Sequence, residues 1–239
     1  MTAKSRLDVI RDQVAILSLA EGFLATSILL ALLRLEVFGA IGTGRETVAM
    51  HNHPSLRGRE LARFLDTSSA ESLLDLGCEP GTYAFHLGKA NPRLALIDSA
   101  GVLEVAREIA SRYPMENPVE YVPLDVTTED IPGTYEIVLD SNTLHMLGEE
   151  ASRKLIRRLY DNVAPGGSLV IQAQFSKDDR MGGRWPVFFD LVQLCITREG
   201  RNHTPSETAE WMEDGGFRDI ELVPRSLVNT NSFIRGYRR

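Results

Sequence analysis

From Glu71 onward the chain alternates strand-length apolar runs with helix-length patterned runs, and this alternation limits its possible folds more than any other feature. Ser72–Leu76, residues 94–97, Val119–Pro123, residues 135–139 and residues 168–174 read as strands. Residues 83–90, 102–112 and 150–162 read as helices between them. Strands separated by helices of this length build βαβ units, hence a parallel sheet with right-handed crossovers. The loops at the strand C-termini then gather on one edge, which is where open sheets of this kind take their ligands. The tail departs from the pattern. A helix around residues 187–197 is followed by Thr204-Pro205-Ser206-Glu207, a helix start with Pro in the first turn. That helix runs to Asp214 and stops at Gly215-Gly216. Residues 217–223 and 227–237 then form two strands around Pro224-Arg225, and so a hairpin. The expected fold is α/β, a Rossmann-like doubly wound sheet that is mostly parallel and ends in an antiparallel hairpin.

A short helical N-terminal segment precedes it. Residues 1–66 carry helical periodicity and no strand, with Leu7, Ile10, Val14, Leu17 and Leu24 at three- and four-residue steps and a further helix over residues 55–65. The domain boundary is expected between residues 66 and 67, giving a helical segment over 1–66 and a ligand-binding domain over 67–239. The stretch from Val14 to Leu33 is the most apolar in the chain, but Glu21 in its middle opposes a membrane span, and no clean cleavage pattern makes it a signal peptide. It reads as a buried or partner-facing helix that joins two copies in a homodimer. A formal net charge of −7 argues against nucleic acid as a partner. The cluster Arg153, Lys154, Arg157 and Arg158 reads as the solvated face of a helix. Cys78 and Cys195 lie far apart without metal spacing, which fits a reducing cytoplasm. His51-Asn52-His53 reads as a polar turn before Pro54, so no metal is expected.

Polar residues mark four successive strand ends. The first strand runs into Asp75-Leu76-Gly77-Cys78-Glu79-Pro80-Gly81, a glycine turn that lets backbone N–H groups approach a ligand. Asp98 ends the second strand, 23 residues after Asp75, where an acid can accept both hydroxyls of a ribose. Asp125 ends the third, beside the place for an adenine. Asn142 and His145 follow the fourth. Any one of these is an ordinary cap or turn residue; the set of four points to a nucleoside-type cofactor. The G-x-G-x-x-G spacing of a nicotinamide dehydrogenase is absent.

The stretches LLDLGCEPGTYAFHLGKANP, IDSAGVLEVAREIA, VEYVPLDV, YEIVLDSNTLHML, RRLYDNVAPGGSLVIQ and REGRNHTPSETAEWMEDGGF occur in order. With them the chain resembles the class I S-adenosylmethionine-dependent methyltransferases, and within these the small-molecule O-methyltransferases of caffeate or polyketide type. The closing hairpin agrees, because that family ends its sheet with an antiparallel strand. The resemblance implies O-methylation of a small hydroxylated, aromatic or polyketide-like metabolite in secondary metabolism, with S-adenosyl-L-methionine as donor and S-adenosyl-L-homocysteine as product. It assigns Asp75, Gly77, Glu79 and Gly81 to the cofactor loop and Asp98 to the ribose. Asp125 and Val126 flank the adenine, Ser141 and Asn142 stand just before the catalytic turn, and His145 is the general base. Met181, Trp185, Phe188, Phe189 and Met212 fall where the family builds its acceptor pocket. Neutral histidine suits removal of a phenolic or enolic proton near neutral pH.

Three features depart from the family pattern. Glu79 replaces the middle glycine of the loop, where a left-handed backbone would cost roughly 1–2 kcal/mol. Met146 follows His145 where many relatives carry an acidic residue, and Asn202-His203 stands where plant-type members place an acid and a base, so no carboxylate orienting His145 is evident. About 70 residues precede the loop, roughly half of what the family carries, so a more open acceptor site is expected. These departures favour an alternative, a methyltransferase-like protein that acts as a non-methylating catalyst or interaction partner. Residues 176–184, rich in Gly and charge, read as a lid over the site.

Overall fold

A computed structural model describes residues 55–88, 92–113, 115–180, 184–223 and 232–239. All of them lie in one compact unit, Glu46–Arg239. The apolar segment 14–33, the His51-Asn52-His53 turn, Met181 and the hairpin turn at Pro224-Arg225 lie outside the described residues. Numbering the described elements in order, the helices are α1 (Ser55–Phe64), α2 (Thr82–Leu87), α3 (Ala100–Ala110), α4 (Glu149–Asn162), α5 (Arg184–Ile196) and α6 (Pro205–Asp214). The strands are β1 (Ser72–Leu76), β2 (Arg93–Asp98), β3 (Val119–Pro123), β4 (Tyr135–Ser141), β5 (Val163–Ala173), β6 (Arg218–Val223) and β7 (Ser232–Tyr237).

The seven strands form one sheet in the order β3-β2-β1-β4-β5-β7-β6. Strands β1 to β5 pair in parallel, and β7 pairs antiparallel with both β5 and β6. This is the doubly wound sheet with a closing hairpin that the alternation predicts. Helices cover both faces, so the central strands β1 and β4 are buried almost throughout. The edge strands β3 and β6 alternate or expose most of their residues. One face packs Leu155, Ile156 and Leu159 of α4 and Trp211 and Met212 of α6 against Leu74, Val138 and Ile171. The other packs Leu61 of α1, Phe85 of α2 and Leu103 and Ile109 of α3 against Leu73, Leu94, Leu139 and Val170. Leu61 and Leu65 are thus part of the sheet's own core, and α1 sits so close to α2 that a Cβ at Gly58 would meet the His86 ring at 2.5 Å.

Pro165-Gly166-Gly167 does not separate α4 from the next strand. Strand β5 begins at Val163, with Tyr135↔Val163 in register and an irregularity before Ile137↔Ser168. Gly166 adopts φ 81°, and a Cβ on Gly167 would stand 2.6 Å from the Glu136 carbonyl oxygen. The two glycines let the strand continue past its neighbour's backbone through a bulge. The capping box at α6 is complete: Thr204 accepts from the Glu207 N–H and Glu207 accepts from the Thr204 N–H.

Candidate functional site

The ends of β3, β2, β1 and β4 are neighbours in the sheet, so Asp125, Asp98, the Asp75–Gly81 loop and the turn bearing His145 fall in sequence along one edge. The loop after β1 turns through three left-handed residues, Gly77 (φ 61°), Glu79 (φ 50°) and Gly81 (φ 76°). Glu79 therefore adopts the costly conformation expected of a residue in a glycine's place. It is held there by its N–H, which donates to Asp98 Oδ2 at 2.9 Å. Asp98 Oδ1 accepts from the Ser99 N–H at 2.7 Å. Partial burial raises the Asp98 carboxyl above its usual range, and these N–H groups oppose the rise. Asp75 is fully buried; Oδ2 accepts from the Ala84 N–H at 3.3 Å and Oδ1 has no partner. Burial pushes its carboxyl well up.

The glycines serve packing within the protein as well. A Cβ on Gly81 would meet the Phe85 ring at 2.7 Å, and one on Gly77 would stand 2.4 Å from Thr143 Oγ1. Asp125 is exposed and closes its own turn, accepting from Thr127 N–H at 2.8 Å and Thr127 Oγ1 at 2.6 Å, which lowers its pKa. Val126 beside it joins the core.

At the end of β4, Ser141 is buried and its Oγ accepts from Asn142 Nδ2 at 3.3 Å. Asn142 takes φ 67° and donates its N–H to the Gln172 carbonyl. Gln172, in register with Ser141, is fully buried, and neither amide atom of its side chain has a partner. His145 follows on a short 3-10 turn, Leu144–Met146. The residue is half-buried, but its Nδ1 is enclosed and unpartnered. The ring of Phe189, on α5, meets it edge-on with centroids 4.9 Å apart. Gly200 lies against the His145 carbonyl, since a Cβ there would come within 2.6 Å of it. Enclosure lowers the His145 pKa to about 4, with the nearby His203 adding to the effect. The imidazole is thus neutral at pH 7.

His203 is buried under the same turn, its Nε2 3.0 Å from the Leu144 carbonyl oxygen, to which it donates when protonated there. Burial lowers its pKa as well. Asn202 donates Nδ2 to the Pro186 carbonyl at 2.9 Å and its backbone N–H to Asp190 at 2.6 Å. Both residues tie the segment after α5 to its surroundings.

The predicted acceptor-pocket residues separate. Phe188 and Phe189 are half-buried on α5, and Phe189 reaches His145. Trp185 lies on the same helix. Met212 packs fully buried in the core beside Trp211 and Phe217. The first part of the expected lid is tethered: Arg180 pairs with Glu207 at 2.7 Å and Asp178 accepts from the Ser206 N–H at 3.1 Å. Of the basic cluster, Arg153 pairs with Glu149, Glu210 and Asp214, and Arg158 donates to the carbonyls of Val126, Thr127 and Glu129. Two residues of the turn escaped the sequence reading, Asp140 and Thr143. The available signal was an acid inside an apolar strand three residues before Thr143, a spacing at which Asp caps backbone N–H groups.

Comparison with known proteins places this arrangement. Residues 44–218 match the family model described as O-methyltransferase domain. Tetracenomycin polyketide synthesis 8-O-methyl transferase of Streptomyces glaucescens is 28% identical over 175 residues, covering 72% of this chain and 51% of that protein. The 3-hydroxy-5-methyl-1-naphthoate 3-O-methyltransferase of Streptomyces sahachiroi is 26% identical over 186 residues, covering 76% of this chain and 53% of that protein. The chain therefore spans about half the length of the curated relatives it matches. Among solved structures, the S-adenosylmethionine-dependent methyltransferase SibL in its apo form superposes with a TM-score of 0.70 at 26% identity, over 79% of this chain and 56% of that one. With the family model matched over most of its length, the chain belongs to the O-methyltransferase domain family.

Proposed function

We propose that the chain is an S-adenosylmethionine-dependent O-methyltransferase acting on a small hydroxylated metabolite of aromatic or polyketide type, with His145 as general base. The observation that carries this reading is His145 itself: a neutral imidazole with a free, enclosed Nδ1, one strand end beyond the Asp75–Gly81 loop, with an aromatic ring against it. When bound, the cofactor supplies an electrophilic methyl group on a sulfonium. The residues present fit it. Asp98 keeps acceptor capacity for a ribose diol beyond the two N–H groups it already binds, and the unpartnered Asp75 Oδ1 lies under the loop. Gly77, Glu79 and Gly81 would hold the cofactor at the loop, Asp125 and Val126 would flank its adenine, and Ser141 and Asn142 would border its reacting end.

In-line methyl transfer draws most of its rate from positioning. The work of the protein is to hold the acceptor hydroxyl against the enclosed imidazole and to exclude water, for which Phe188 and Phe189 supply apolar surface. The names of the two Streptomyces relatives, one an O-methyl transferase of polyketide synthesis and one a hydroxynaphthoate O-methyltransferase, support a polyketide-type or naphthoate-like hydroxyl as acceptor. Secondary metabolism and a reducing cytoplasm, in which Cys78 and Cys195 stay free, complete the reading. The apolar stretch over 14–33 supports a homodimer, which light scattering at micromolar concentration tests directly.

Isothermal titration with S-adenosylmethionine and S-adenosylhomocysteine tests the cofactor reading. Micromolar binding of both is expected; no binding at millimolar ligand withdraws methyl transfer. In a phenol screen of the active protein, His145→Ala is expected to lose about 10²–10⁴-fold in kcat while keeping cofactor affinity. Full turnover in that variant removes His145 from the base role.

A further inference from the structure

Asp140 is the next-to-last residue of the buried run of β4, on the face that packs against α4, and the position calls for an apolar side chain. It is nevertheless a carboxyl group, 1% exposed. Its Oδ1 accepts from the Thr143 N–H at 3.0 Å, and the Leu144 N–H also donates to the carboxyl. Its Oδ2 has no partner. A buried carboxyl satisfied on one side only costs stability, so a turn that needed nothing more than a filled core would be better served by Leu.

Thr143 carries the second half of the arrangement. Its Oγ1 donates to the Leu76 carbonyl at 3.1 Å, across the sheet to the last residue of β1. Gly77, the first residue of the cofactor loop, leaves the room for this bond, since any Cβ there would stand 2.4 Å from Thr143 Oγ1. Gly77 thus admits a protein hydroxyl to the strand end. Two residues later comes His145, whose ring makes no hydrogen bond through Nδ1. Among the described residues no carboxylate is seen to bond the ring, and its placement depends on the Phe189 contact and on the backbone turn that bears it.

We propose that Asp140 and Thr143 form a staple that positions His145: Asp140 holds the N–H groups of the turn, and Thr143 ties that turn to the end of β1 where the cofactor loop begins. Both are positioning residues, since neither touches the reacting atoms. The inference rests on His145 being the proposed base, and it accounts for a placed imidazole without an acidic partner among the described residues. His203 completes the support from below by holding the Leu144 carbonyl.

The test uses the full chain with ¹³C-labelled histidine and needs neither acceptor nor cofactor. The His145 ring resonance, identified by its loss in His145→Gln, is followed in pH titrations of wild type, Asp140→Leu, Asp140→Asn and Thr143→Val. In Asp140→Leu the released turn admits water to the imidazole, and its midpoint is expected to rise by roughly one unit or more toward the ordinary histidine value. Asp140→Asn keeps an oxygen acceptor at the same place and is expected to retain the wild-type shift and midpoint. Thr143→Val, isosteric but without the hydroxyl, is expected to move the resonance in the same direction as Asp140→Leu. Thermal melts accompany each variant, and Asp140→Leu is expected to melt no lower than wild type. A purely structural role predicts the reverse pattern, a lower melting temperature with the His145 signal unmoved, and that result overturns the staple. If Asp140→Leu does not fold, Thr143→Val decides alone: an unmoved His145 signal there overturns the proposal. Failure of the cofactor titration would withdraw methyl transfer while leaving these histidine readouts to judge the staple separately.

Discussion

Asp140 and His145 stand five residues apart and bind protons in opposite senses over nearly the same pH range. His145 falls from 6.5 to about 4 on folding, because enclosure disfavours the cation. Between those values the unfolded chain binds the extra proton, so this contribution to stability is lost as pH falls from 6.5 toward 4. Asp140 rises from 3.8 to about 7, again because burial disfavours the charge. There the folded chain binds the extra proton, and the contribution is lost as pH rises from about 4 to 7. Each slope approaches about 1.4 kcal/mol per pH unit, and in the wild type they oppose each other. Asp140→Asn is expected to gain stability relative to wild type as pH rises through that window. His145→Gln is expected to gain relative to wild type as pH falls through it. Urea unfolding at several pH values measures both gaps; gaps that do not change with pH would show that neither group's pKa is shifted by folding. If His145 is the base of the proposed methyl transfer, the acid limb of its rate profile is expected near pH 4, well below the ordinary histidine value. Glu79 was legible as an anomaly because the glycine pattern exposes it, and its φ of 50° carries the expected strain. Asp140 showed in the sequence only as an acid inside an apolar strand, because the Thr143 N–H that it accepts from is brought to its carboxyl by the folded turn.

At the scale of elements, the sequence reads well wherever an element carries its own signal. Val119–Pro123 has its observed bounds, and the Thr204-Pro205-Ser206-Glu207 start becomes a complete capping box. Reading fails where a remote residue completes an element. Pro165-Gly166-Gly167 looks like a stop, yet β5 runs through it, because Gly166 donates to the Arg238 carbonyl and Arg238 donates back to Gly167. The same arginine supplies the missing C-terminal cap of α4, which has no basic residue in its last turn. Its guanidinium donates to the carbonyls of Tyr160, Asp161 and Val163 at 2.9, 3.2 and 2.8 Å and lies over the Tyr160 ring. Charge-assisted bonds to a helix C-terminus stabilise it. Arg238→Met keeps the apolar stem and removes the donors, so it is expected to cost about 1–2 kcal/mol. For a domain of this size that lowers the melting temperature by roughly 2–8 °C. An unchanged melt would mean that water caps those carbonyls equally well.

For the whole unit, the candidate site joins loops from four parallel strands, and its polar groups are held mainly by one another. Glu79 N–H rests on Asp98, Thr143 on Leu76 and Asp140, and the His145 turn on His203. A ligand lying along this edge would add further bridges between segments already joined by these few bonds, and its binding energy would add to the folding free energy of the unit. A ligand at one hundred times its dissociation constant stabilises by about 2.7 kcal/mol if it binds only the folded state. S-adenosylhomocysteine is therefore expected to raise the melting temperature by roughly 5–10 °C at that excess. Asp98→Ala separates a ribose contact from its internal duty. It removes the acceptor for Glu79 N–H and Ser99 N–H together with the proposed diol contact, so it should lower both the ligand-free melt and the ligand-induced shift. Asp125→Ala removes only two exposed turn bonds from Thr127 on the protein side. If Asp125 also borders the adenine, its variant should melt near wild type without ligand and lose part of the shift with it. Equal shifts in wild type and Asp125→Ala would place the adenine elsewhere along the edge, while the absence of any shift in the wild type would remove the cofactor from the site altogether.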